Sequence, residues 1–446
     1  MRSVVCILGL LVWPALAGHL AQSPGDPQTI DLSHARQAVD APPLRLEDAV
    51  REALDRNPGV EAAERRVDPL RSRPAQVASL QPPILQAQIW QWPINTLNPA
   101  NTNMYMLMAT QELPRQGKRT ALTTLANAET RVAETAIDVS KRDVVEAVSA
   151  SYWDLFLARR ATSIHLASAD LLHRLTDAAE AKYGAGRASQ QDVLRPTVEA
   201  TKLHNDLLDF DRDAAQAAYR LNALMNRPLD APIGRLGAPS ESTLTSSLED
   251  LQAQADRDQP DLRASRAEVD HAHAQLEVAR TAKTPDWSVG GGYMLLPRQT
   301  DAWLGNVSVS WPGAPWARRG LDARTAEATA AKSAAESDVA AVVNRVRMAV
   351  ADAYARIKTA EARAALIRTT LLPQARQAFA ASTSAYEADR GDVLSVIESE
   401  RTLLDAQLSY DRALVEWRIA LVALERAIGS PVSPATVRVV NAEVAR

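Results

Sequence analysis

The sequence predicts a mainly α-helical protein with a small membrane β part: long antiparallel helical hairpins that form an α-barrel only with other copies, plus four strands patterned for a bilayer. Three observations carry this. Two very long stretches read as helix, two pairs of short segments alternate with the period of a strand, and the same order of elements occurs twice.

The chain opens with Arg2, an apolar run from Val4 to Val12, and the small-residue pattern Ala15, Leu16, Ala17 before Gly18. This reads as a signal peptide over residues 1–17, cleaved after Ala17. Its apolar run is too short to span a bilayer as a helix, and no later stretch offers about 20 apolar residues in succession. Cys6 is the only cysteine and lies in that leader, so the exported chain is expected to lack disulfides and cysteine metal sites. Cys6 does not follow a complete apolar signal core, so lipid attachment is not expected. Residues 18–43 are read as an N-terminal periplasmic extension.

Phe, Trp and Tyr make up only 4% of the 446 residues, while alanine recurs in stretches such as Ala323 to Ala341. Such a chain suits extended helix packing better than two or three compact cores. The net charge of -4 gives no reason to expect nucleic acid as a partner.

From Lys118 to Tyr183 there is neither glycine nor proline, and Ala, Leu, Glu, Arg and Lys predominate. At about 1.5 Å per residue this helix would be roughly 100 Å long. A second helical stretch runs from Leu321 to Leu372, is interrupted at Pro373, and resumes from Gln374 to Arg390. Val144, Val148, Tyr152 and Leu155 recur as Val346, Val350, Tyr354 and Ile357. Tyr183, Arg187, Val193, Leu221 and Pro228 recur as Tyr386, Arg390, Val396, Leu424 and Pro431. The chain is an internal duplication, with a first repeat over 44–232, a linker over 233–247, a second repeat over 248–430 and a C-terminal tail over 431–446. Each repeat reads as a short helix, a hairpin, a long helix, a tight turn and a returning helix.

The hairpins lie where the helical signal stops. In strands over 287–295 and 303–311, Trp287, Val289, Gly291, Tyr293 and Leu295 alternate with Ser288, Gly290, Gly292 and Met294, and Trp303, Gly305, Val307, Val309 and Trp311 with Leu304, Asn306, Ser308 and Ser310. Aromatic residues near the strand ends fit interfacial girdles, and the apolar and polar faces suit lipid outside and water inside. The first half holds an equivalent, less cleanly alternating pair over 84–92 and 103–112. Both pairs end in proline and positive charge: Pro114 with Arg115, Lys118 and Arg119, and Pro312 and Pro315 with Arg318 and Arg319. These charges fit the water-facing edge of a membrane segment or a merely solvated helix start.

Lipid offers no hydrogen-bond partners, so strands cross a bilayer only in closed barrels. Four strands cannot close one. Two, three or four identical copies would give roughly eight, twelve or sixteen strands, and strand arithmetic alone does not choose among them.

At this point the residues resemble a known family. LRLEDAVREALDRNPGVEAAE (44–64), QELPRQGKR (111–119), KYGAGRASQQDVLR (182–195), LNALMNRPLDAPIG (221–234), QPDLRASRAEV (259–269) and YEADRGDVLSVIESERTLLDAQ (386–407) are similar to TolC-like outer membrane efflux proteins over nearly all of the mature chain. The resemblance implies a homotrimer in the outer membrane of a Gram-negative bacterium, with a twelve-stranded barrel and a long periplasmic helical tunnel. It further implies a periplasmic adaptor and an inner-membrane pump of the RND type as partners, in an efflux or type I secretion system. QELPRQGKR looks more like the heavy-metal branch. A soluble periplasmic coiled-coil scaffold would share the long helices but not the paired hairpins.

The family resemblance directs attention to the helical tips. It implies an acidic ring at the periplasmic mouth, for which Asp192, Ser395 at the equivalent place and Glu398 are the candidates. It also implies tip turns at Tyr183, Gly186 and Arg187 and at Tyr386, Asp389 and Arg390, with Arg187 and Arg390 as braces. Asp389 departs from the glycine usual there, and aspartate tolerates a left-handed backbone better than most residues.

Little else suggests chemistry. Gly290, Gly291 and Gly292 suit a small-residue strand rather than a nucleotide loop, and no catalytic constellation or cofactor motif is found. His271 and His273 lie two apart, on different faces of a helix, unlike a zinc pair. Met104, Met106 and Met108 share one strand face. Thioethers suit copper(I) or silver(I), yet methionine is also ordinary apolar filler, and filler is the preferred reading.

Overall fold

The computed structural model describes Leu32 and residues 41–440 apart from 93 and 97. The expected signal peptide, most of the 18–43 extension and the last residues of the tail lie outside the described residues. The first repeat comprises α1 (Leu46–Arg56), α2 (Pro58–Ala78), β1 (Ile84–Trp90), β2 (Met104–Leu113), α3 (Gln116–Gly184) and α4 (Gln190–Leu224). The short strand β3 (Ser242–Leu244) follows. The second repeat comprises α5 (Leu248–Asp258), α6 (Pro260–Thr281), β4 (Trp287–Leu295), β5 (Ala302–Val309), α7 (Pro315–Leu366), α8 (Leu372–Glu387) and α9 (Val393–Ile428), after which comes β6 (Val437–Val439).

Where the sequence suggests one short helix at the head of each repeat, there are two, because a proline starts a new one. Asn57 caps α2 by accepting from the Gly59 amide at 2.8 Å, and its Nδ2 donates to the Leu224 carbonyl at 2.9 Å. Gln259 does the same before Pro260, with its Nε2 donating to the Arg426 and Ala427 carbonyls at 3.0 Å. Each break thereby docks on the end of its own returning helix. Those ends match too: Asn226 at φ 55 and Gly429 at φ 87 both adopt the left-handed conformation that stops a helix. A Cβ on Gly429 would lie 2.5 Å from Pro260 Cδ, so glycine is required there by space as well as by φ.

The α3 helix runs 69 residues without interruption, about 100 Å at the helical rise. It packs on α2, α4, α6 and α9, while α7 packs on α6 and α9. The core follows the duplication: Val148, Tyr152, Leu155 and Leu221 are fully buried in the first half, as are Val350, Ile357 and Leu424 in the second. Each buried aliphatic side chain of this size contributes about 2 kcal/mol. The linker is anchored by the first long helix. Tyr152 Oη donates to the Leu44 carbonyl at 3.0 Å and accepts from the Gly237 amide at 2.7 Å. The buried Arg159 guanidinium donates to the Ile233 and Gly234 carbonyls at 2.9 and 2.8 Å. Linker and tail also pair with each other, β3 antiparallel to β6, which alternation over three residues is too brief to predict.

Pro373 does not break the second long helix. The stretch from Ile357 to Tyr386 is one residue longer than its counterpart from Leu155 to Tyr183, and a π-helical turn over Ile367–Leu371 absorbs the extra residue immediately before the proline. The widened turn removes the need for the hydrogen bond that proline cannot donate, so helix continues through α8. It ends at Glu387 rather than Arg390, because residues 388–390 form the tip turn.

Candidate functional site

The four long strands form one antiparallel sheet in the order β1-β2-β4-β5. Their ends differ from the expected limits by one to two residues, except β4, which coincides. The register sorts side chains by face, since residues directly opposite each other point the same way. Leu85 pairs with Ala109, Ala87 with Leu107 and Ile89 with Tyr105; Tyr105 pairs with Leu295, Leu107 with Tyr293 and Leu113 with Trp287. Val289 pairs with Val307 and Tyr293 with Trp303. These residues make one face almost wholly apolar, Gln111 excepted, and largely exposed within the protomer: Leu85 is 79% and Trp303 82% accessible. The opposite face is mixed: it carries Gln86, Gln88, Thr110, Glu112, Ser288, Asn306 and Ser308, with Met104, Met106, Met108 and Met294 among them and Ile84, Trp90 and Leu304 as its other large apolar residues. Among the described residues, β1 and β5 are each paired on one side only.

Exposed tryptophans stand at both ends of this sheet, Trp303 at one and Trp287, Trp311 and Trp316 at the other. At the latter end Asp286 gathers the first helix start, accepting from the Arg115 amide at 3.2 Å and pairing with Lys118 at 2.5 Å. In the second repeat Asp322 pairs with Lys283 at 2.8 Å and, less closely, with Arg318 at 3.9 Å. No helix among the described residues is long and apolar enough to cross a membrane.

The helical tips are built alike from different residues. In the first, the Arg187 amide donates to the Lys182 carbonyl at 2.8 Å around Gly186 at φ 70; in the second, the Arg390 amide donates to the Ala385 carbonyl at 2.9 Å around Asp389 at φ 52. The returning helices then start on side-chain caps, reciprocal in α4. Ser189 caps α4 and Asp192, three residues on, accepts from both the Ser189 amide and hydroxyl at 2.8 Å. In α9 the roles are exchanged: Asp392 is the cap and accepts from the Ser395 amide at 2.9 Å and hydroxyl at 2.5 Å. These hydrogen bonds hold both carboxyls below the usual carboxylate range. Asp392 therefore places a negative charge beside Ser395 on the second tip. Sequence reasoning passed it over, although an acid three residues before a serine at a helix start is a recognisable cap.

The two tips are tied together chiefly by Lys182, which sequence reasoning did not single out. Its ammonium lies 2.5 Å from Asp389, donates to the Tyr386 carbonyl at 3.0 Å, and sits 4.0 Å from the Tyr386 ring centre. Arg187 reaches Asp389 at 3.5 Å. Arg390 makes no ion pair among the described residues. Tyr386 is buried beneath Lys182, whereas Tyr183 is exposed. Glu398 lies exposed with Arg195 and Arg401 in the groove between α4 and α9.

Further along the helices a polar cluster, buried except for Arg401, lies between α3, α4 and α9. Glu400 accepts a hydrogen bond from Ser168, Arg401 pairs with Glu199 at 3.2 Å, and His165 packs edge-on to Phe210 with Nδ1 3.0 Å from the Ala161 carbonyl. Burial pushes the Glu400 carboxyl up and the His165 imidazole down.

An amphipathic antiparallel sheet at one end of helices this long defines a class: a channel-forming protein whose strands meet lipid and whose helices extend into water. The comparisons agree. The chain belongs to the outer membrane efflux protein family, which matches residues 49–227 and again 251–430. It is 26% identical over 403 residues to the cobalt-zinc-cadmium resistance protein CzcC of Cupriavidus metallidurans, covering 87% of this chain and 91% of that one. Its fold is similar to the outer membrane protein VceC of Vibrio cholerae, at a TM-score of 0.72 and 19% identity over 86% of this chain and 96% of that one. It is likewise similar to the outer membrane channel CmeC of Campylobacter jejuni, at a TM-score of 0.74 and 12% identity over 92% and 94%.

Proposed function

We propose that three copies of this chain close their sheets into one twelve-stranded barrel in the outer membrane of a Gram-negative bacterium, as the exit duct of a tripartite efflux pump. The sheet carries this reading. One face is apolar across all four strands, yet β1 and β5 each keep an unpaired edge, and lipid cannot satisfy the backbone groups along it. Joining β5 of one protomer to β1 of the next removes every edge, and cyclic symmetry closes the ring. The helices then continue the barrel as a conduit through the periplasm, where an adaptor and an RND-type inner-membrane pump deliver cargo. The signal peptide expected over 1–17 supports export.

Conduction is passive and needs no catalytic group. Asp192, Asp392 and Glu398 near the tips, repeated around the axis with Ser395 between them, concentrate negative charge at the narrow end and favour cations. The similarity to a cobalt-zinc-cadmium resistance protein supports metal cations as cargo. The test is biochemical: the protein should fractionate with the outer membrane as a detergent-stable trimer. Cysteines replacing Ala87 on β1 and Val307 on β5 should cross-link between protomers. Recovery as a soluble monomer would overturn the reading.

A further inference from the structure

Four of the seven methionines of the chain fall on one face of the sheet, opposite the apolar one. Met104, Met106 and Met108 alternate along β2, and Met294 on β4 stands directly across from Met106 in the register. Residues paired in this way bring their Cβ atoms to about 5 Å, and the flexible methionine stem lets two sulfurs converge on a common point. Met108 faces Gly292, where an added Cβ would lie 2.8 Å from Met108 Cγ, so the glycine leaves the space in which that side chain lies. Met106 is only 8% accessible, and Met104, Met108 and Met294 are half-buried. Gln88 and Gln86 flank the group on β1, opposite Met106 and Met108.

An apolar filler role accounts poorly for this placement. The apolar side of the same strands is filled by Leu, Ile, Val, Ala, Tyr and Trp, with Gln111, and holds no methionine. The methionines are confined to the side that carries Gln, Ser, Thr and Asn, on which Ile84, Trp90 and Leu304 are the other large apolar residues. Thioether sulfur is a soft, uncharged ligand that prefers copper(I) and silver(I) over harder divalent ions. Because it needs no deprotonation, such a set binds without a pH cost, and because it is neutral it does not trap the ion as a thiolate would.

We propose that Met106 and Met294, with Met108 and Met104 beside them, form a binding station for soft monovalent cations, copper(I) or silver(I), on the inner wall of the barrel. The proposal rests on the reading of this face as the channel interior and names a cargo class for it. It differs from the cobalt, zinc and cadmium in the name of the similar protein.

Silver(I) is the probe, since it needs no reductant. The purified full chain in detergent, in chloride-free buffer, should bind silver ions by calorimetry, and zinc ions should not compete. Met106→Leu with Met294→Leu should weaken binding roughly tenfold or more, as loss of metal-site partners does, whereas Met348→Leu should not change it. Leucine keeps the apolar volume, so the sheet should persist. In the unaltered protein with ¹³C-methyl-labelled methionine, silver should move the Met106 and Met294 methyl resonances and leave those of Met225 and Met348 in place. No silver binding, or binding indifferent to the double substitution, or unmoved Met106 and Met294 signals would overturn the proposal. Gel filtration of the same sample reports the trimer, so failure of the channel reading is seen separately.

Discussion

Lys182 and Asp389 join the two helical tips: the ammonium at the end of α3 lies 2.5 Å from a carboxylate in the turn after α8. Asp389 occupies the place that Gly186 holds in the first tip, so the second tip gives up glycine's conformational freedom and gains a charge facing its neighbour. With its carboxylate exposed to solvent, this pair adds little to folding stability, and its effect belongs to the width of the mouth. Asp389→Asn or Lys182→Met should therefore raise single-channel conductance in planar bilayers while leaving thermal unfolding unchanged. The hydrogen bond from Lys182 holds the Asp389 carboxyl below the usual range. The latch should accordingly persist as pH falls to about 4, the ordinary aspartate value, and be lost only as pH passes through the lower folded value. Currents that ignore both substitutions would remove this pair from the gate.

How far the sequence anticipates this site depends on the length scale of each signal. Helix α3 and the β4–β5 hairpin were legible because many residues repeat one period, and the duplication exposed itself through paired positions such as Tyr152 and Tyr354. The turn at Asp389 was legible from its counterpart Gly186. Lys182 was not, because its partner lies 207 positions away and no local pattern couples them. The π turn before Pro373 was hidden for a related reason: one extra residue leaves no mark on a 3.6-residue period, and only the unequal spacing of the two repeats betrays it. The β3–β6 pair was lost to its brevity, and Glu400 to the ordinary look of a glutamate on a helix.

The exchanged caps give a stability test. Ser189 with Asp192 and Asp392 with Ser395 solve one problem with the same two residue types in opposite order. Asp392→Ala should destabilise the second tip by about 1 kcal/mol, the usual worth of an N-cap. The double substitution Asp392→Ser with Ser395→Asp rebuilds the first tip's arrangement and should restore the melting temperature. If the exchange melts as low as the single alanine variant, the two caps are not equivalent.

Charge and capping must be separated before the acids are read as a selectivity ring. Alanine at position 192 would remove both, because the Asp192 carboxylate is also the acceptor for Ser189. Asparagine keeps an acceptor oxygen and discards the charge. Asp192→Asn, Asp392→Asn and Glu398→Gln together should shift the reversal potential in a salt gradient toward weaker cation preference. A preference that survives the triple substitution would assign these acids to the fold alone.

Glu400 offers a pH dependence of opposite sign to that of Asp389. It is 7% accessible, and its carboxyl is held above the ordinary value first by burial, then by the nearby Glu199 and Asp405, against the opposing pull of Ser168 and Arg401. The folded protein thus holds this proton more tightly than the unfolded chain does. Its contribution is most favourable below the unfolded value of about 4.5 and declines as pH rises through the folded one, where an ionised carboxylate must stay buried. Glu400→Gln keeps the size and an oxygen for the Ser168 hydroxyl while abolishing ionisation. It should raise the unfolding temperature of the assembled protein at pH 8 and change little at pH 4. A variant less stable than the parent at pH 8 would mean that the Ser168 hydrogen bond and the nearby charge of Arg401 outweigh burial, and the assignment of the shift would fail.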